Sequence, residues 1–154
     1  MKLNRIIKEY ILSKSLLRPE RKIGIEVECF IYKSNYKRIP VNKCKEFSST
    51  DLLNELNNIN NDRNGTFSLE PGGQIEWSSP PCENIFDLDD ALNSYKRLLD
   101  SVLRKRNLLS LYIGVEPFSD ADSIELIDQK KYQLMNTNME KRGSLGKWMM
   151  RNTS

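Results

Sequence analysis

The sequence predicts an α+β fold built on a sheet with one apolar and one acidic face. Two stretches carry the prediction, Lys22-Ile23-Gly24-Ile25-Glu26-Val27-Glu28-Cys29-Phe30 and Phe67-Ser68-Leu69-Glu70-Pro71-Gly72-Gly73-Gln74-Ile75-Glu76-Trp77. Successive side chains of a strand point to opposite faces, so Glu26 and Glu28 share one face while Ile23, Ile25, Val27, Cys29 and Ile31 line the other. In the second stretch Glu70, Gln74 and Glu76 fall on one parity, Phe67, Leu69, Ile75 and Trp77 on the other, and Pro71-Gly72-Gly73 reads as a tight turn. The third observation is apolar spacing of helical period before, between and after these strands.

Leu3, Ile6, Ile7, Tyr10 and Lys14 form a stripe that predicts a packing helix over Leu3–Leu17, ended by Arg18-Pro19, because proline disfavours helix in the residue before it. The first acidic strand is expected over Arg21–Tyr32, followed by a polar connection through Asn35 and Pro40. Thr50 or Asp51 is a candidate cap for a short helix carrying Leu52, Leu53 and Leu56. The asparagine-rich run Asn57–Asn64 reads as an exposed turn, and Asn64-Gly65 as a reversal before the second acidic strand. After Ser78-Ser79-Pro80-Pro81, a helix opens at Asp87, Asp89 and Asp90, presents Leu88, Leu92, Tyr95, Leu99 and Val102, and closes at Arg104-Lys105-Arg106. Acids first and bases last complement the helix dipole, which gives those charges a structural role. Leu108–Val115 is expected to be a strand buried on both faces, and Asp128–Met139 a helix around Tyr132, Leu134 and Met135.

At 154 residues the chain is one domain by length, with the composition of a soluble protein and a net charge of +3. That small basic excess argues only weakly for nucleic acid and suits a small anionic substrate as well, and no interleaved platform of aromatic and basic residues for a nucleic acid is visible. No apolar run approaches the roughly 18 residues of a bilayer span, and no secretory leader is visible, so a cytoplasmic, non-membrane protein is expected. Cys29, Cys44 and Cys82 are too widely spaced for a zinc or redox pair and read as buried or idle thiols. The chain has no histidine, which excludes serine–histidine and cysteine–histidine nucleophile systems and the usual zinc hydrolase sites. Chemistry must therefore run on carboxylates, lysines, arginines and bound metal. Two carboxylates about 4 Å apart repel by ~4 kcal/mol at an effective dielectric of about 20, so clustered acids call for a cation, and Mg2+ is the natural one. Glu26 and Glu28 alone leave open a solvated or salt-bridged sheet face, with Arg21, Lys22 and Lys33 as partners.

Gly24-Ile25-Glu26-Val27-Glu28, then Ser68-Leu69-Glu70-Pro71-Gly72-Gly73-Gln74-Ile75-Glu76, then Gly143-Ser144-Leu145-Gly146 and Met149-Met150 closely resemble glutamate–cysteine ligase of the plant and proteobacterial type, in order and approximate spacing. The resemblance implies a glutamine-synthetase-like catalytic fold, an antiparallel sheet that holds ATP and Mg2+ on one face with helices packed behind it. It implies ATP-dependent joining of L-glutamate to L-cysteine through a γ-glutamyl phosphate, the first step of glutathione synthesis. Carried over by position, Glu26 and Glu28 are the first metal-binding pair and Glu70 and Glu76 the second. Lys141 and Arg142, ahead of the glycine loop, are the candidates for the nucleotide, and Gln74 and Arg142 for the glutamate substrate; no catalytic residue is assigned. Where plant-type relatives read Met-Pro-Lys-Val this chain has Met139-Glu140-Lys141-Arg142, and Arg151-Asn152-Thr153 stands where an arginine–threonine pair is common. Family members are much longer, so residues 1–154 are expected to be the N-terminal part of one ligase domain, with a strand opened by Trp148-Met149-Met150 continuing past Ser154. An incomplete, inactive fragment or a silent metal-binding or interaction module is the alternative from another functional class. The acceptor amine, the oligomeric state and any redox control are not legible.

Overall fold

The computed structural model describes residues 2–15, 20–60, 64–143 and 146–153. Helix α1 (Lys2–Ser13) is followed by strand β1 (Glu26–Lys33), helix α2 (Ser49–Ile59), strands β2 (Thr66–Leu69) and β3 (Ile75–Ser78), helix α3 (Ile85–Arg104), strand β4 (Leu108–Leu111) and helix α4 (Lys130–Arg142). The strands form one antiparallel sheet in the order β2-β3-β1-β4. The predicted α+β class and the apolar face of the sheet are both present. Cys29, Ile31, Phe67, Ile75 and Trp77 pack against Leu52 and Leu56 of α2 and Tyr95, Leu99, Val102 and Leu103 of α3 in one core.

Register follows from parity. Trp77 lies between Phe67 and Val27, and Ile75 between Leu69 and Cys29, all facing the helices. The reversal expected at Asn64-Gly65 is there: Gly65 has φ +84, and a Cβ on it would come 2.3 Å from the Ser78 carbonyl oxygen. Residues 61–63 of the expected turn lie outside the described residues, as do Leu17, Arg18 and Pro19 at the expected end of the first helix.

Helix caps sit slightly earlier than the sequence suggested. Ser48 caps α2: its Oγ accepts from the Asp51 amide at 3.2 Å, and the Asp51 carboxylate accepts from the Ser48 amide at 3.1 Å. Thr50 and Asp51 are thus inside the helix, and the reciprocal box places the cap three residues before its acid. Ser48→Ala is expected to cost about 0.5–2 kcal/mol of stability in urea unfolding. Asn84 caps α3, its Oδ1 accepting from the Phe86 and Asp87 amides at 2.9 and 3.1 Å.

Three expectations are corrected. The stripe of α1 is not packed: Leu3, Ile6, Ile7, Tyr10, Ile11 and Leu12 are 48–68% exposed. Amphipathic spacing states that a face is apolar, not what covers it. Strand β4, at the edge of the sheet, is not buried on both faces: Leu109 is 43% exposed. The Trp148–Met150 segment is not an extended strand but part of a 3-10 helix, Gly146–Arg151. Pairing begins only after it, at a Val115–Asn152 bridge with Glu116 N–H donating to the Arg151 carbonyl at 2.7 Å.

Candidate active site

The acidic face of the sheet forms because every second residue of three neighbouring strands is polar. Glu76 on β3 lies between Ser68 on β2 and Glu28 on β1, and the next row sets Ser78 between Thr66 and Glu26. Ser68 and Ser78 hydroxyls donate to Glu76 Oε1 at 3.1 and 3.3 Å, which orients its carboxylate. Glu70 reaches the same place from the hairpin turn. Gly73 N–H donates to the Glu70 carbonyl at 2.7 Å and Glu70 N–H to the Gln74 carbonyl at 3.0 Å, closing a three-residue loop with Pro71 at its first position. Gly73 is the left-handed residue of that loop, at φ +79, and a Cβ there would sit 2.7 Å from Val41.

Desolvation, contact with the Glu76 carboxyl and the charge of Glu28 push the Glu70 carboxyl up to about 7. This shift is the signature of crowded acids. Because the folded value is raised, the stability it contributes is present below the ordinary carboxylate range and lost as pH rises through about 7. In chelator, the melting temperature is expected to fall between pH 5 and 8, and Glu70→Gln to flatten that fall.

The structure thus brings Glu28, Glu70 and Glu76 together, whereas Glu26 lies exposed in the next row, about 7 Å along the strand. Lys141 and Arg142 are exposed in the last turn of α4, and among the described residues no hydrogen bond or ion pair ties either to the acids. Ser144 and Leu145 of the glycine loop lie outside the described residues. The base beside the acids is Lys131, at the other end of α4. Its ammonium lies 4.4 Å from the Tyr132 ring centre, and that contact, with the charge of Glu70, holds it above the ordinary lysine range. Tyr132 anchors the helix by donating to the Leu69 carbonyl at 3.3 Å. Lys131 was missed because a base in a first helical turn runs against the dipole preference and carries no other local signal.

Gln74 is buried and shares the parity of the acids, yet its Nε2 donates to the Met150 and Asn152 carbonyls at 3.0 and 2.9 Å. It clamps the hairpin turn to the 146–153 segment, and its buried Oε1 meets no donor among the described residues. Arg151 is held structurally, donating to the Glu116 carbonyl at 2.7 and 3.2 Å and lying 4.9 Å from the Trp148 ring.

Beyond Glu28 the acidic face closes over. Phe30 and Tyr32 share the parity of the acids but are buried under a second layer, with Phe118 edge-on to Tyr32 at 5.7 Å and the Arg38 guanidinium 5.1 Å from the Phe30 ring. Beneath it the buried Glu116 accepts from the Tyr32 hydroxyl at 2.6 Å and from the Phe118 amide at 2.9 Å. Burial pushes the Glu116 carboxyl up, but these bonds and those from Ser119 outweigh it and hold it below the usual range. The open acidic patch is therefore bounded by this layer on one side and by α4 on the other.

A family model decides what the patch belongs to. The glutamate-cysteine ligase family 2 model matches residues 22–154, which contain every residue of the acidic face. The chain belongs to glutamate-cysteine ligase family 2. Its relatives include the chloroplastic glutamate–cysteine ligase of Medicago truncatula, 30% identical over 152 residues, covering 92% of this chain and 30% of the relative. Glutamate–cysteine ligase A, chloroplastic, of Oryza sativa subsp. japonica is 30% identical over 151 residues, covering 92% of this chain and 31% of the relative. The chloroplastic enzyme of Arabidopsis thaliana is 33% identical over 88 residues, 57% of this chain and 17% of the relative. The chain thus spans about 30% of the length of the first two family relatives.

Among the described residues no group of three or more cysteine, aspartate or glutamate side chains is placed to hold a metal ion by itself. Mg2+ does not require one, because it keeps several waters and takes one or two carboxylates together with substrate phosphates. Acids crowded enough to lift Glu70 to about 7 fit that mode. The three cysteines are free, and burial first of all pushes the Cys29 thiol up to about 12, which makes it inert. Among the described residues no helix is long and apolar enough to cross a membrane.

Proposed function

We propose that the acidic sheet face is the cation and phosphate site of an ATP-dependent ligase that joins L-glutamate to L-cysteine through a γ-glutamyl phosphate, as the first step of glutathione synthesis, on a glutamine-synthetase-like fold. The observation that carries this reading is the row of Glu28 and Glu76 with Glu70 leaning onto it, inside a chain of this ligase family. Glu28, Glu70 and Glu76 would hold Mg2+, with Glu26 at the rim; bound there, the ion supplies charge neutralisation on phosphate oxygens. Phosphoryl transfer asks the protein chiefly for positioning and electrostatic stabilisation. Lys131, on the wall of the patch, supplies positive charge to phosphate where Lys141 and Arg142 are too far along α4, about 15 Å by helical rise. Gln74 acts through position, holding the turn that presents Glu70 rather than contacting glutamate. The three free thiols fit a reducing compartment such as the cytoplasm.

Incubating the full-length gene product with glutamate, ATP, Mg2+ and a panel of amines, cysteine among them, and following phosphate release tests the reaction; no release with any amine rejects it. Nucleotide binding is a separate readout. Lys131→Ala is expected to weaken binding of ATP with Mg2+ to residues 1–154 by roughly tenfold or more in calorimetry, the loss of one charge-assisted hydrogen bond, while Lys141→Ala leaves it near the unsubstituted value.

A further inference from the structure

A cavity of about 340 Å³ opens between the polar connection after β1 and the 119–125 segment, with Ile39, Val41 and Ile124 as its apolar wall. Four charged side chains line it. Lys33 and Glu46 pair with each other. Arg38 and Glu125 share the same space, yet among the described residues neither makes an ion pair. Each is fixed by neutral groups instead. The Arg38 guanidinium donates to the Gly72 carbonyl, its one hydrogen bond among the described residues, and lies 5.1 Å from the Phe30 ring centre. Glu125 accepts from the Val41 amide at 2.7 Å, from the Asn42 amide at 3.3 Å and from Asn42 Nδ2 at 2.7 Å. Burial draws Arg38 below the ordinary arginine range, opposed by the charges of Tyr32, Glu116 and Glu125. Of these, Glu116 is already taken up by the Tyr32 hydroxyl and the Phe118 and Ser119 amides. A half-buried guanidinium held off every carboxylate carries a desolvation cost that a bound carboxylate would offset.

We propose that this cavity seats a free α-amino acid, with its carboxylate on Arg38 and its ammonium on Glu125. The balance of charge selects that class. Lys33 and Arg38 against Glu46 and Glu125 leave the lining neutral, which suits a zwitterion and disfavours phosphate or another multiply charged anion. A guanidinium meets a carboxylate as a planar fork of two donors, and Arg38 has donors to spare. A carboxylate offers about four lone-pair sites, so the Glu125 bonds to Val41 and Asn42 hold it in place and still leave room for an ammonium. The seat adjoins the acidic patch. Arg38 covers Phe30, the next residue on the face of Glu28 and about 7 Å along β1, and bonds to the turn that presents Glu70. That the seat holds one of the two amino acids joined by the ligase rests on the function proposed above; that it binds an amino acid does not.

Titrating L-glutamate and L-cysteine separately into the isotopically labelled chain, without nucleotide or divalent cation, and following its amide resonances tests the seat. Saturable shifts at Val41, Ser119 and Ile124 are expected with at least one of the two. The N-acetyl derivative of that amino acid lacks the ammonium and its α-carboxamide lacks the carboxylate, so each is expected to bind roughly tenfold or more weakly. Glu125→Gln keeps an acceptor oxygen and removes the charge; it is expected to leave the amino acid no tighter than its N-acetyl derivative. Arg38→Lys keeps the charge without the fork and is expected to weaken both ligands alike. The amide spectrum reports folding of each variant, and Glu125→Gln carries the test if Arg38→Lys does not fold. No saturable shifts in the cavity with either amino acid, N-acetyl and carboxamide derivatives that bind as tightly as the parent, or binding indifferent to Glu125→Gln overturns the proposal. Phosphate release by the full-length gene product judges the ligase reading separately: amino-acid binding without release rejects that reading and keeps the seat, and release without binding here rejects the seat alone.

Discussion

Trp77→Ala is expected to destabilise the fold by about 3–5 kcal/mol, the range for removing a buried large aromatic side chain. Trp77 is fully buried, stacks on Tyr95 with ring centres 4.7 Å apart and planes 10° from parallel, and donates from Nε1 to the Asn64 carbonyl at 2.7 Å. Tyr95 in turn lies 5.9 Å from Phe67, so the substitution empties the place where β2, β3 and α3 meet. A single domain of this size has about 5–15 kcal/mol of total stability, so the substitution removes a large share of it. Urea unfolding followed by far-ultraviolet circular dichroism measures the cost. Trp77→Phe keeps most of the stacking and loses the bond to Asn64; it is expected to fall well short of the alanine value. Trp77 is the neighbour of Glu76 on the same strand, so what fixes the core side also fixes where the acid points.

Glu76→Gln is expected to act in opposite directions on stability and on cation binding. Without metal, the substitution removes one of the charges that raise Glu70, so the Glu70 carboxyl drops toward the ordinary range and the protein melts higher at pH 8 than the unsubstituted chain. With Mg2+ or Mn2+ present the order reverses. Loss of a direct ligand is expected to cost at least the 10–100-fold in affinity typical of the groups that merely orient ligands. A residue that destabilises the fold while binding a cation is what a site, as opposed to a salt-bridged sheet face, requires. Parallel melting curves with and without divalent cation measure both effects.

The acidic face was legible because strand parity is a strict period of two, and four glutamates at alternate positions need no tertiary information to be placed on one side. Its limit became visible only in the structure. Phe30 and Tyr32 continue the parity of Glu26 and Glu28 as buried aromatics, and that change of character marks where the second layer begins. What the sequence left open depends on non-local partners. The stripe of α1 has the same periodicity whether or not a surface covers it, and the apolar run holding Leu109 reads the same whether one face of β4 is covered or both. Gln74 reads as one more polar residue of the acidic face, whereas its Nε2 donates to carbonyls of the distant 146–153 segment. Lys131 was unmarked for the same reason: only the way α4 docks through Tyr132 brings it to Glu70.

The central claim is that divalent cation binds at the crowded acids Glu28, Glu70 and Glu76, held by one or two of their carboxylates. Titrating Mn2+ into the isotopically labelled 154-residue chain and reading paramagnetic broadening of its amide resonances tests it most directly. Broadening that begins at Glu28, Glu70 and Glu76, spreads to Ser68 and Lys131, is competed by Mg2+ and disappears in Glu76→Gln is the predicted result. Broadening centred elsewhere, such as at Asp87 and Asp89, or none at these three glutamates, would contradict it.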